Sequence, residues 1–237
     1  MNISYFDGTE VKISNETFEK IKNIEENIDC EKESLRQFYE NIDKNKNGVI
    51  VDIGAQIGLY SLYAKNLKNY IFYSYEPYEE SFNLLKDNIL LNEILNVNVI
   101  NRGISDKWEK KKLKVCKNHT GLNTLGENLL RFSKDESEEI EIQVSSLDDE
   151  FYYTDTDISY IKIDTEGWEY NILRGGVNII NKCKPDIQLE WNVTNMNQCG
   201  VNENDLKSLL FDMGYVLVSK KNEEILFKHI SKFKLIN

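Results

Sequence analysis

Cysteine is scarce in this chain: Cys30, Cys116, Cys183 and Cys199 are its four, far apart, with no Cys-x-x-Cys pair and no Cys/His spacing that would build a zinc site. That argues against a disulfide framework and fits reduced thiols in a cytoplasmic protein. Long apolar runs are missing too. No stretch approaches the roughly 20 residues of a membrane span. Met1 to Thr9 also lacks the basic segment and apolar run of a signal peptide, so neither insertion nor secretion is expected. Positive charge is in deficit, with 29 Lys and Arg against 40 Asp and Glu and a formal net charge of -11. A broad nucleic-acid surface needs cations to neutralise phosphates, which leaves room only for a local basic patch. The dinucleotide fingerprint Gly-x-Gly-x-x-Gly is absent. Proline is limited to two residues in a chain rich in Asn, Lys and Ile, a bias to which no function is attached.

What is present is an ordinary globular composition, 41% hydrophobic and 29% charged over 237 residues, enough for one α/β unit with a substantial core. Residues 1–47 read as an N-terminal helical cap, with a small hairpin around Asp7-Gly8 and helical periodicity through Phe18, Ile21, Ile24 and Ile28, then Leu35, Phe38 and Ile42. From residue 48 to 237 strand and helix signals alternate, the pattern of a doubly wound, mostly parallel sheet. Strands are expected at 49–53, 70–76, 97–101, 159–164, 185–191, 214–219 and 224–229, and helices at about 58–67, 78–92, 169–181 and 203–212. Lys220 to Glu223 is too short for a crossover, so the last two strands should pair antiparallel. An insertion at about 105–150 breaks the pattern. It carries the basic run Lys110 to Lys112, the acidic run Asp135 to Glu141, and a hairpin of its own at Leu113 to Cys116 and Ile140 to Val144.

The chemistry concentrates at the carboxyl ends of these strands, where open α/β sheets bind ligands. Val49 to Ile53 runs into Gly54-Ala55-Gln56-Ile57-Gly58, a turn suited to a nucleoside-bearing molecule. Its glycines allow close backbone approach, and the helix expected next would offer unpaired N–H groups. Asp52 stands ready to accept hydrogen bonds from a ligand amine or a water. Glu76, ending the second strand before Pro77, can take both ribose hydroxyls, although a charge for the next helix is an alternative use of an acid there. Asn101 and Arg102 end the third strand, where an amide and small residues would line a base. Asp164 and Glu166 end the fourth, and Glu190 and Asn192 the fifth. Such acids can serve as base toward a hydroxyl, and Asp164, Glu190 and Asn192 could hold Mg²⁺, with a buried hydrogen-bond network as the alternative. His119, in the insertion, is a further candidate base or an unemployed surface residue.

The order and spacing of Val51 to Gly58, Tyr75-Glu76-Pro77, Asn101 to Asp106, Ser146-Leu147-Asp148, Lys162 to Gly167, Leu173 to Gly176 and Leu189-Glu190 resemble the FkbM family of S-adenosylmethionine-dependent methyltransferases over about residues 48–219. A parallel sheet closed by an antiparallel hairpin is also the shape of the class I methyltransferase, Rossmann-like fold. The resemblance implies S-adenosylmethionine as cofactor, with Asp52, Gly54, Gln56 and Gly58 on its methionine part, Glu76 on the ribose, and Asn101 and Arg102 by the adenine. Asp164 would touch the cofactor and, with Glu166, face the reaction. Where this chain has Gln56 the family usually has Asn. The function implied is O-methylation of a sugar, a glycan or another small acceptor. The alternatives are a tRNA methyltransferase, supported only by the Lys107 to Lys114 patch, and a nicotinamide-dependent oxidoreductase.

Overall fold

The computed structural model describes residues 2–20, 24–116, 120–126 and 137–233, and all of their side chains except those of 24–30 and 120. It opens with a hairpin, β1 (Asn2–Ser4) and β2 (Glu10–Lys12), followed by α1 (Asn15–Lys20) and α2 (Ile24–Asn41). Then come β3 (Gly48–Ile53), β4 (Tyr70–Tyr75), α3 (Glu79–Leu91) and β5 (Val97–Ile100). The inserted part holds β6 (Gly103–Ser105), β7 (Glu109–Cys116), β8 (Ser137–Ser146) and α4 (Leu147–Phe151). After it follow β9 (Ile158–Ile163), α5 (Glu169–Arg174), α6 (Val177–Cys183), β10 (Asp186–Glu190), α7 (Val193–Gln198), α8 (Glu203–Asp212), β11 (Tyr215–Lys221) and β12 (Glu224–His229).

Seven strands form the main sheet in the order β11-β12-β10-β9-β3-β4-β5, and only β12 runs against the rest. β3, β9 and β10 are buried almost throughout because they lie at the sheet's centre, with both faces covered. The chain goes from β3 outward to β5, then returns to the other side of β3 for β9. The carboxyl ends of β3 and β9 therefore flank the switch point, the crevice in which such sheets bind ligands.

α2 packs onto this sheet through Phe38, fully buried, whose ring lies 5.2 Å from Tyr160, 5.3 Å from Tyr60 and 6.5 Å from Phe72. Ile3, Tyr5, Val11, Ile13 and Leu35 join the same apolar cluster as Ile50 and Phe72, so the N-terminal hairpin and the second half of α2 share a core with the sheet.

Three expected elements come out differently. In place of a helix over 58–67 there is a five-residue 3₁₀ turn, Ser61–Lys65. Gly58, at φ +93°, cannot open an α-helix, and the Ser61 hydroxyl is drawn inward to Asp52. That removes the helix N-terminus expected to greet a ligand. The helix over 169–181 divides into α5 and α6 at Gly175-Gly176, where a Cβ on Gly175 would stand 2.2 Å from the Ser105 carbonyl oxygen. In the insertion, the expected hairpin exists but is longer, β7 with β8, and β6 adds to β8 in parallel.

Candidate functional site

The loop after β3 is fastened from three sides. Gly54, at φ +80°, lies so close to the end of β9 that a Cβ there would come 1.9 Å from the Asp164 carbonyl oxygen. Gly58 has φ +93°, and Leu85 of α3 occupies the place its Cβ would take, at 2.4 Å. Gln56 is held in the left-handed region at φ +49°, and its N–H donates to Glu76 Oε2 at 3.0 Å. The loop's shape is thus dictated by its neighbours before any ligand arrives.

Asp52 faces inward at 2% exposure, accepting from the Ser61 hydroxyl at 2.5 Å, with Ser74 Oγ 2.6 Å further on. Burial raises its carboxyl to about 6 despite that hydrogen bond. Glu76 is also buried, and its other oxygen accepts from the Tyr78 N–H at 2.9 Å. Burial again dominates over the two backbone donors and lifts Glu76 to about 7. Asn101 donates to the Glu76 and Pro77 carbonyls at 2.9 and 3.2 Å, so its amide braces the turn that carries Glu76. Arg102 pairs with Glu150 and lies over the Trp108 ring at 4.6 Å.

The second half of the site is acidic. Asp164, Glu166 and Glu190 each bring a carboxylate oxygen within 4.8 Å of the others. Asp164 Oδ2 accepts from Lys162 at 3.1 Å. Glu166, at φ +55°, accepts from Asn195 Nδ2 at 2.5 Å, and its carbonyl from the Thr124 hydroxyl at 2.8 Å. Glu169 is buried below the turn and gathers the N–H groups of Thr165 and Gly167 and the Thr165 hydroxyl onto Oε1. Burial, then Asp164, Glu166, Glu169 and Glu224, push Glu190 up to about 11, so it is protonated near neutrality. Asn192 Oδ1 caps α7 by accepting from the Asn195 N–H at 3.1 Å.

Lys162, 1% exposed, is the buried cation beneath these acids. Besides Asp164 it meets Glu224 of β12 at 2.7 Å, and the Tyr60 ring lies 4.9 Å from Nζ. Burial works to lower its pKa, but Asp164, Glu224 and Glu31 overcome it and raise it. Glu31, from α2, accepts from Tyr60 OH at 3.0 Å and Ser34 Oγ at 3.1 Å. Burial and Asp164 raise its carboxyl. The N-terminal cap therefore reaches the site through Glu31, Ser34 and the tyrosine they hold. Lys162, Glu224, Glu31 and Asn195 carried no site role in the sequence reading. Lys162 was visible inside its motif as a charge in an apolar strand. The others come from elements distant in sequence and left no local signal.

His119 lies outside the described residues. The lysines of β7 are answered from within their own sheet: Lys110 meets Glu141 at 2.6 Å, Lys112 meets Glu139 at 3.2 Å, and Lys107 and Lys111 both reach Glu109. Four lysines of the patch that favoured an RNA partner are thus ion-paired, Lys110 and Lys112 across to β8 and Lys107 and Lys111 to Glu109 at the start of β7. No helix among the described residues is long and apolar enough to cross a membrane.

A family profile described as "Methyltransferase FkbM domain" matches residues 52–217. No curated protein matches the sequence. Among solved structures, methyltransferase FkbM from Methylobacillus flagellatus is similar at 18% identity and a TM-score of 0.52. The match covers 77% of this chain and 44% of that one, so this chain spans less than half that relative's length. A ribosomal protein L11 methylase from Lactobacillus delbrueckii subsp. bulgaricus is similar at 8% identity and a TM-score of 0.50, covering 85% of this chain and 78% of that one. Together with the strand order, these likenesses show the class I methyltransferase fold.

Proposed function

Because the chain belongs to the FkbM family of methyltransferases, we propose that it transfers a methyl group from S-adenosylmethionine to a hydroxyl of a sugar, a glycan or another small acceptor. The observation that carries this reading is the joining of the Asp52–Gly58 loop to Glu76 on one side and to Asp164 on the other. A carboxylate has about four lone-pair positions. Glu76 spends two on the N–H groups of Gln56 and Tyr78, which leaves capacity to accept from a vicinal diol such as ribose. The site therefore fits the cofactor, which when bound supplies an electrophilic methyl on a sulfonium.

The protein's task is then to hold the acceptor oxygen in line and to receive its proton. Glu190, protonated near neutrality, is unsuited to that second task. Asp164, steadied by Lys162, and Glu166, steadied by Asn195, are the bases we assign. An oxidoreductase reading lacks the glycine fingerprint, and four of the five lysines behind the tRNA reading are paired with Glu109, Glu139 and Glu141.

Calorimetry with S-adenosylhomocysteine tests the donor half, and absence of binding by the intact chain would refute it. Labelled methyl transfer to a panel of nucleotide sugars and glycans tests the acceptor half. Turnover should fall by two orders of magnitude or more in the Asp164→Asn, Glu166→Gln double variant, on the scale of general-base catalysis. Undiminished turnover would remove both carboxylates from the mechanism.

A further inference from the structure

We propose that Thr124, in the insertion, is a positioning residue for Glu166: its hydroxyl fixes the backbone that aims the Glu166 carboxylate into the site. The inference rests on the reading of Glu166 as a base. Glu166 stands at φ +55°, a left-handed conformation that crowds any residue with a Cβ and persists only where the surroundings impose it. The next residue, Gly167 at φ +104°, is pressed against α7 and Cys199. A Cβ there would come 2.4 Å from the Asn195 carbonyl oxygen and 2.9 Å from Cys199 Sγ. The peptide joining these two residues carries the Glu166 carbonyl, to which the Thr124 hydroxyl donates at 2.8 Å. The plane of that peptide sets the ψ of Glu166. With Asn195 Nδ2 on its carboxylate, Glu166 is held at both ends.

The hydroxyl is committed to this contact. It has one proton to give, and its oxygen accepts from the Gly126 N–H at 3.1 Å. The proton therefore goes to the Glu166 carbonyl in preference to Cys199 Sγ, 3.7 Å away. Thr124 is 4% exposed, and its own N–H and C=O pair with Lys114 of β7 at 3.1 and 2.9 Å, so the clamp is mounted on the insertion's sheet. Gly126 leaves no room for a side chain, since a Cβ there would stand 2.8 Å from Cys199 Sγ. At the other end of the segment Gly121 rests against the β3 loop, where a Cβ would meet Gln56 Nε2 at 3.0 Å. The short path from Gly121 to Gly126 thus reaches from the loop read as holding the methyl donor to the turn read as taking the proton. A base displaced by an ångström loses much of its effect, so the Thr124 contact bears on turnover more than on cofactor affinity.

The test compares Thr124→Val, which keeps the shape and loses the hydroxyl, with Thr124→Ser, which keeps the hydroxyl. In methyl transfer to whichever sugar or glycan the intact chain accepts, kcat should fall about tenfold or more in Thr124→Val while KM for S-adenosylmethionine moves less than about twofold, and Thr124→Ser should recover most of the loss. Added to Glu166→Gln, Thr124→Val should cost almost nothing further, because the group it aims is gone. Undiminished kcat, or the same loss in the parent and in the Glu166→Gln background, overturns the proposal. A second measurement needs no acceptor. Peptides covering 163–169 should exchange their amide hydrogens about tenfold faster in Thr124→Val than in the parent or in Thr124→Ser, since the Gly167 N–H now held by Glu169 is released with the peptide plane. Unchanged exchange there also overturns the clamp. A parent chain that binds no S-adenosylhomocysteine, or methylates nothing in the acceptor panel, refutes the methyl-transfer reading, and the exchange comparison still judges the clamp.

Discussion

At Glu76 two backbone N–H groups hold the carboxylate from opposite sides, yet burial still lifts it to about 7. The group is poised to lose its proton near neutrality. Accepting from two ribose hydroxyls requires the anion, so S-adenosylhomocysteine should bind more tightly as pH rises through about 7, with release of a proton on binding. Calorimetry in buffers of different ionisation enthalpy reads that proton directly; affinity that is flat from pH 6 to 8 would take Glu76 out of the contact. Glu76→Gln keeps the shape but loses the charge, and a charged hydrogen bond contributes about 1.5–3 kcal/mol. Binding should therefore weaken roughly 10- to 100-fold.

Among the elements, the β3 loop and α2 are the two on which the site depends. Gly54→Ala would put a methyl against the Asp164 carbonyl at a φ of +80°. The left-handed conformation costs about 1–2 kcal/mol and the overlap about 1–3 kcal/mol more. Cofactor binding should vanish in this variant while its far-UV circular dichroism stays that of a folded protein. Phe38→Ala empties the aromatic cluster between α2 and the sheet, at about 3–5 kcal/mol, and lowers Tm by on the order of 10 °C. A normal melting curve would show that α2 is not bound as described. These two elements also mark how far the chain could be read unaided. Strands such as β3 and β9 announce themselves by short segments rich in Val and Ile, and α3 and α8 by their apolar spacing. The 3₁₀ turn at Ser61 was hidden because its apolar residues keep helical spacing while Asp52, nine residues earlier, decides the backbone. Glu31 and Glu224 were hidden for a related reason: Lys162 recruits them across 131 and 62 residues of chain, and nothing near either one records it.

For the whole molecule, an excess of buried acid sets the pH at which the fold is most stable. Burial raises Asp52 to about 6, Glu76 and Glu224 to about 7 and Glu190 to about 11, and it raises Glu31 and Glu169 as well. Each of these groups keeps a proton in the folded chain over a range where the unfolded chain has released it. Their contribution is complete below the ordinary carboxylate range near pH 4 and is lost as pH rises through 6 and 7, and for Glu190 beyond. The surface acids Glu80, Glu109 and Glu203, drawn down by Lys20, Lys111 and Lys207, act in the opposite sense, but only below pH 4 or so. The net charge of -11 adds a self-repulsion that also relaxes on acidification. With chelator present and no cofactor, the protein should therefore gain on the order of 3 kcal/mol between pH 8 and pH 5.5, a rise in Tm of roughly 5 to 10 °C. The lower limit stays above the pI of about 4.9, where association would confuse the measurement. Glu190→Gln should lessen the slope across the whole range and leave the profile nearly flat above about pH 7, where Asp52, Glu76 and Glu224 have already lost their protons. A Tm that instead climbed from pH 5.5 to 8 would mean that these carboxylates are charged in the folded protein.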